Sequence, residues 1–102
     1  MLASCAMIIK IEFIGFPIIY DLFSEGTHPY SLSGKTIPEL LEELIAGYGQ
    51  RLKESLLDIG TNKMDPTIQM RINGKFILTD EIQRYEIQEG DHVTFLKLLA
   101  GG

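Results

Sequence analysis

"TIPELLEELIAGYG", residues 36–49, decides how the rest of the chain must be arranged. Ile37, Leu40, Leu41, Leu44 and Ile45 recur at helical spacing and form one apolar stripe, with Glu39, Glu42 and Glu43 on the other side. Thr36 and Glu39 stand in capping-box spacing, so Thr36 can accept from a first-turn amide while Glu39 reaches back. Pro38 costs little there, because the early amides have no helical partner in any case. Gly47 is the expected left-handed stop. A helix with one apolar stripe needs one apolar surface to cover, and the segments on either side supply it as strands.

Upstream, "MIIKIEFIG" (7–15) places Ile9, Ile11 and Phe13 on one parity and Lys10 and Glu12 on the other, the period of a half-buried strand. "FPIIYDLFSEG" (16–26) is a long connection, interrupted by Pro17 and turned at Gly26. "THPYSLS" (27–33) is a short second strand with Tyr30 and Leu32 inward, antiparallel to the first. Downstream, "QRLKESLLD" (50–58) extends the helical region through Leu52, Leu56 and Leu57. "PTIQMRINGKFIL" (66–78) is a hairpin: Ile68, Met70 and Ile72 alternate with Gln69 and Arg71, and Asn73-Gly74 suits the two positive-φ positions of a type I′ turn. "YEIQEGDHVTFLKLL" (85–99) turns at Glu89-Gly90-Asp91 and ends in a strand with Val93 and Phe95 inward and Thr94 and Leu96 outward. The first and last strands are the most apolar, which suits central positions; if adjacent they must be parallel, with the helix in the crossover. The fold class is therefore α+β, a mixed four- to five-stranded sheet with one main helix across one face.

The chain has 102 residues, enough for one domain with one small core. Its net charge of −5 argues against a nucleic-acid binder, which needs a basic face to neutralise phosphates. No apolar run approaches the ~20 residues of a membrane span. A single cysteine, Cys5, excludes an internal disulfide framework and suits a reducing cytoplasm. "MLASCA" at the start lacks the basic and apolar regions that precede a lipoprotein cleavage box. His28 and His92 read as structural or solvated. No Ser-His-Asp or Cys-His spacing and no glycine-rich phosphate loop stands out, so the chain carries no catalytic machinery of its own.

The order strand, strand, helix, strand, short strand, strand is the β-grasp arrangement. In that order, "IKIEFIG" (9–15), "TIPELLEEL" (36–44), "INGKFI" (72–77), "EGDHVTFL" (89–96) and a final Gly101-Gly102 resemble the ubiquitin-like sulfur carriers typified by the small subunit of molybdopterin synthase (MoaD) and the thiamine-biosynthesis carrier (ThiS). The resemblance covers residues 7–102. It departs from the molybdopterin-making members in "LKLLAGG" (96–102), where those often have prolines, and in the long segments after the first strand and at 48–66.

What this resemblance implies is a carrier rather than an enzyme. The Gly102 carboxylate, preceded by Gly101, would be adenylated by an ATP-dependent E1-like adenylyltransferase and converted to a thiocarboxylate. A sulfurtransferase or cysteine desulfurase would supply the sulfur indirectly, and the large subunit of molybdopterin synthase would receive it. The carrier itself would hold no cofactor; ATP belongs to the activating enzyme. Glycines suit a thread entering a narrow channel, because they carry no side chain to clash. Ile8, Ile14, Leu96, Leu98 and Leu99 are the candidate docking residues: apolar, yet of the parity opposite to the core or beside the tail. The expected organisation is a flexible extension at 1–6, the β-grasp domain at 7–98 and a flexible diglycine tail at 99–102. A carrier for thiamine or another sulfurated product, a modifier joined to lysines, and a plain ubiquitin-like interaction domain remain open at this point.

Overall fold

The computed structural model describes residues 6–17, 21–23, 26–58, 60–61 and 63–97. Strands β1 (Met7–Ile14), β2 (Thr27–Leu32), β3 (Ile68–Ile72), β4 (Lys75–Ile77) and β5 (His92–Lys97) form a five-stranded sheet in the order β2-β1-β5-β3-β4. The outer pairs are antiparallel, and the central pair, β1 with β5, is parallel. Helices α1 (Ile37–Tyr48), α2 (Gln50–Leu56) and the short α3 (Thr79–Ile82) complete the elements.

The core follows from the period-2 parity of the strands. Ile9, Ile11 and Val93 are fully buried, as is Phe95, and Phe13 is nearly so. Ile68, Met70 and Ile72 of β3 join them, with Leu32 of β2 and the α1 stripe Ile37, Leu40 and Leu44. Tyr30 is half-buried against this core; its hydroxyl donates to Glu43 Oε1 at 3.2 Å. The long connection after β1 is tied down by its aromatic rings: Phe16 meets Phe13 edge-on at 5.6 Å, and Phe23 lies 4.8 Å from Phe13.

The helix start matches its sequence signature. Thr36 Oγ1 accepts from Glu39 N at 3.3 Å, and Glu39 Oε1 accepts from Thr36 N at 3.1 Å and Lys35 N at 2.7 Å. These bonds hold the Glu39 carboxyl below its usual pKa. The helix stop differs from expectation. Gly47 lies inside α1, and the positive-φ residue is Gly49 (φ 89°), whose amide donates to Ile45 O at 2.8 Å. With the stop two residues later, Tyr48 is the last residue of α1 and meets Phe23, 4.7 Å away between ring centroids. Segment 50–58 is helical only over Gln50–Leu56, a separate helix, α2, that buries Leu52 and Leu56; Leu57 is half-buried and bridges to Met64.

Asn73 (φ 54°) and Gly74 (φ 84°) make the predicted positive-φ turn between β3 and β4. α3 was not foreshadowed: its single turn is closed by Leu78 N donating to Glu81 Oε1 at 3.0 Å, and it buries Ile82. Four residues are too few to show a periodicity.

Candidate functional site

β5 is the strand that leads to the diglycine, and it runs through the middle of the sheet. Its last described residue is Lys97. Of the sequence-predicted site residues, Leu98, Leu99, Gly101 and Gly102 lie outside the described residues, as do residues 1–5 of the expected N-terminal extension. The expectations of flexibility at both ends fall there too, apart from Ala6.

The remaining three lie on the face of the sheet opposite the core. Ile14 (42% exposed) and Leu96 (half-buried) are register partners on neighbouring strands, and Gln69 of β3 is the next residue across. These two form an apolar step at the end of β5 where the tail begins. Ile8 (50% exposed) does not join them. It lies six positions back along β1, about 20 Å at strand rise, with Lys10 and Glu12 between.

The centre of this face is polar. His92 Nε2 sits 3.0 Å from Glu12 Oε1, and the His92 amide donates to Asn73 Oδ1 at 2.9 Å. Both groups are partly exposed, so the pair adds little stability. Thr94 is outward-facing as expected, but nearly covered (9% exposed), flanked in register by Glu12 and Arg71. His28 stands edge-on to Phe23 at 5.7 Å. Among the described residues no group of three His, Cys, Asp or Glu side chains is placed to hold a metal ion, and no helix is long and apolar enough to cross a membrane.

Two features near the ends of β5 escaped sequence reading. At its start, the Asp91 carboxylate is buried and accepts from Asn73 Nδ2 (2.9 Å), Tyr85 Oη (2.8 Å) and Gln88 N (2.9 Å). Burial is the largest influence on this group and pushes its pKa up, but the hydrogen bonds together outweigh it and hold the pKa below the usual carboxylate value. Burial and this same carboxylate push the Tyr85 phenol up to about 12. At the far end, Lys97 Nζ pairs with Asp65 Oδ2 at 3.3 Å, and Asp65 Oδ1 accepts from Thr67 N (2.8 Å) and Thr67 Oγ1 (2.7 Å). The Asp-x-Thr spacing at 65–67 was the available signal, since such residues readily bond a backbone amide two positions on.

A shallow cleft of about 240 Å³ opens beside Lys97, between Gly15-Phe16-Pro17 and Arg51, Glu54 and Ser55 of α2. Arg51 pairs there with Asp21. Within the sheet, β5 is paired on both sides, with β1 and with β3.

Comparison with known proteins accords with that geometry. The sequence model of the ThiS family matches residues 26–102, three-quarters of the chain. A comparison with curated proteins finds no significant match. Among solved structures, the chain is similar to the small archaeal modifier protein 1 of Methanosarcina acetivorans, with TM-score 0.70, 18% identity, and 95% of this chain and 98% of that one covered. It is similar to Urm1 of Trypanosoma brucei, with TM-score 0.65, 24% identity, and 98% and 100% covered. It is also similar to a chain in the complex of subunits 1 and 2 of the molybdopterin-converting factor of Helicobacter pylori, with TM-score 0.55, 21% identity, and 94% and 100% covered. At these identities the structures speak to the fold, which is the ubiquitin-like β-grasp, and the family match speaks to descent: the chain belongs to the ThiS family.

Proposed function

We propose that the chain is a sulfur carrier that acts as the small subunit of a molybdopterin-type synthase, with the Gly102 carboxylate as its reacting group. The observation that carries this reading is the family match, which extends through β5 to Gly101-Gly102. The architecture supports it: β5 is held on both sides, by β1 and by β3, so a tail leaving it starts from a firm base. A small synthase subunit would also share its fold with the H. pylori complex.

The chemistry balances as follows. A carboxylate is a poor acyl donor, so one Gly102 oxygen attacks the α-phosphorus of ATP on an E1-like adenylyltransferase, and pyrophosphate leaves. A persulfide, supplied through a sulfurtransferase or cysteine desulfurase, attacks the acyl carbon with its outer sulfur and AMP leaves; a second thiol on that partner then breaks the S–S bond, forming a disulfide with the donor sulfur and releasing the acyl-bound sulfur. The product is a thiocarboxylate, whose sulfur is delivered to the substrate bound by the large synthase subunit. ATP is consumed on the partner, so the carrier needs no nucleotide site. Ile14 and Leu96, with Leu98 and Leu99, form its docking residues, and Gly101 lets the thread pass.

The similarity to a small archaeal modifier protein favours one second reading, attachment of the same terminus to protein lysines. Intact-mass spectrometry after incubation with ATP, a sulfide donor and the activating enzyme encoded in the same genome separates the two. A carrier gains the mass difference of one sulfur replacing one oxygen, and then loses it to a large synthase subunit loaded with its pterin precursor. A modifier appears as isopeptide-linked adducts. Absence of both products overturns both readings.

A further inference from the structure

We propose that Gly15 and the Asp65–Lys97 pair are positioning residues that fix where the C-terminal tail departs from the fold; this rests on the carrier reading above. Gly15 follows β1 directly and has φ 85°, a conformation L side chains rarely adopt. A Cβ placed on it would lie 2.8 Å from the Lys97 carbonyl oxygen. The absence of a side chain is what lets the two backbones meet, and Lys97 O has no flexible atom by which to yield.

The Lys97 side chain is held from the other side. Its ammonium pairs with Asp65 at 3.3 Å and lies 5.9 Å from the Phe16 ring centroid, within reach of the ring's electron-rich face. Asp65 is itself immobilised. Its amide donates to Leu56 O (2.8 Å), its carbonyl accepts from Ile68 N (2.9 Å), and its other carboxylate oxygen is occupied by Thr67. The two bonds from Thr67, with Lys97 behind them, outweigh burial and hold the Asp65 carboxyl below its usual pKa, so it stays charged. Gly15, the end of α2 and the start of β3 therefore converge on one residue.

Residues Leu98 to Gly102, five in number, follow that point. Fully extended they span at most about 17–18 Å. Releasing Lys97 from the sheet would lengthen the departing segment by about 3.3–3.6 Å. That is the scale of the distance between reacting atoms, about 3–3.5 Å. The clamp thus sets the reach of the carboxylate into the activating enzyme and the synthase.

The test couples the clamp to tail length. Deleting Ala100 shortens the tail by one residue and keeps the diglycine end. In the wild-type background the deletion should lower kcat/KM for ATP-dependent adenylate formation by about a hundredfold or more. In a Lys97→Ala background, where the end of β5 can peel away, the same deletion should cost clearly less. Gly15→Ala should lower kcat more than it changes KM, because the docking face is intact and only the reacting end is displaced. Circular dichroism establishes that each variant is folded, and Lys97→Ala carries the test if Gly15→Ala is not.

A second readout does not depend on sulfur chemistry. The backbone 15N order parameter of residue 97 should be near about 0.85 in the wild type and fall toward about 0.6 in Lys97→Ala. Lys97→Arg, which keeps the cation, should retain the wild-type value. An unchanged order parameter in Lys97→Ala, or equal deletion losses in both backgrounds, overturns the proposal. A wild-type chain that is never adenylated overturns the carrier reading instead, and the relaxation measurement still decides the clamp.

Discussion

Phe13 and Phe95 are register partners on the two central parallel strands, and their rings stack with centroids 5.0 Å apart and planes 10° from parallel. The pair ties the strand that opens the domain to the strand that leads to the diglycine. Phe16 and Phe23 pack against Phe13, so the loop after β1 is anchored at the same point.

Phe95→Ala should therefore destabilise the fold by about 3–5 kcal/mol, the usual cost of emptying a buried phenylalanine site. Its side chain is fully buried, so little collapse can refill the space. A urea melt measures this as a fall in midpoint at constant slope. A loss under about 1 kcal/mol would contradict its place in the core.

Thr36→Ala should cost about 0.5–2 kcal/mol. It removes the hydroxyl that accepts from Glu39 N and leaves Glu39 to satisfy Lys35 N and Thr36 N without its reciprocal partner. Thr36→Ser should restore most of the stability, since only a hydroxyl oxygen is required. Denaturant midpoints of the three chains decide it.

Asp91 should make the protein acid-sensitive. Its folded pKa is depressed, so its contribution is fully present above the ordinary carboxylate pKa of about 3.9 in unfolded chains and is lost as pH falls through the lower folded value. Asp91→Asn should be less stable than wild type at pH 7, because its amide would face Asn73 Nδ2 with a donor or leave Tyr85 or Gln88 unpaired. The gap should narrow below about pH 4 as wild-type Asp91 protonates. A gap independent of pH across that window would show that the carboxylate's charge contributes nothing.

Leu96→Glu should leave the fold intact and weaken binding to the activating enzyme and the large synthase subunit by at least about tenfold, or 1.4 kcal/mol. Ile14→Glu should act at the same step, because the two side chains are neighbours across the β1–β5 ladder. The double variant should lose less than the sum, as residues sharing one contact do. Ile8→Glu, at the other end of β1, should have a smaller effect. Calorimetric titration of the wild type and the four variants tests this, and wild-type affinity in Leu96→Glu would remove the docking assignment.

Deleting Gly102 should abolish sulfur acceptance without unfolding the domain. The carboxylate retreats by about 3.3–3.6 Å, a full reaction distance from the nucleotide. Adding a residue after Gly102 should fail as well, by occupying the place of the carboxylate. Intact mass reports the chemistry and circular dichroism the fold; wild-type charging of the deletion variant would rule out Gly102 as the reacting group.

The fold was legible because its elements announce themselves locally. The alternation of Ile9, Ile11 and Phe13, the stripe from Ile37 to Ile45, the capping pair Thr36 and Glu39 and the turn at Asn73-Gly74 each rest on short-range geometry. The parallel pairing of β1 with β5 followed from one helix standing between two very apolar strands. The helix stop was misplaced by one glycine because Gly47 and Gly49 are both plausible stops by sequence; in the fold the cap is Gly49, with Tyr48 against Phe23.

The candidate site divides along the same line. Family membership and the diglycine are properties of residue order, and the parity that turns Ile8, Ile14 and Leu96 away from the core follows from the two-residue period of a strand. Register is not local. Which of those residues stand together depends on how β1 slides against β5, and that is set by the core packing of Phe13 on Phe95. The same packing brings Gly15 against Lys97 and Asp65 to its ammonium, 82 and 32 positions apart in the chain. Sequence alone determined a β-grasp chain of the ThiS family with two glycines as its last residues; only the tertiary structure decided which residues meet around Lys97, because contacts between distant residues exist only once the sheet has closed.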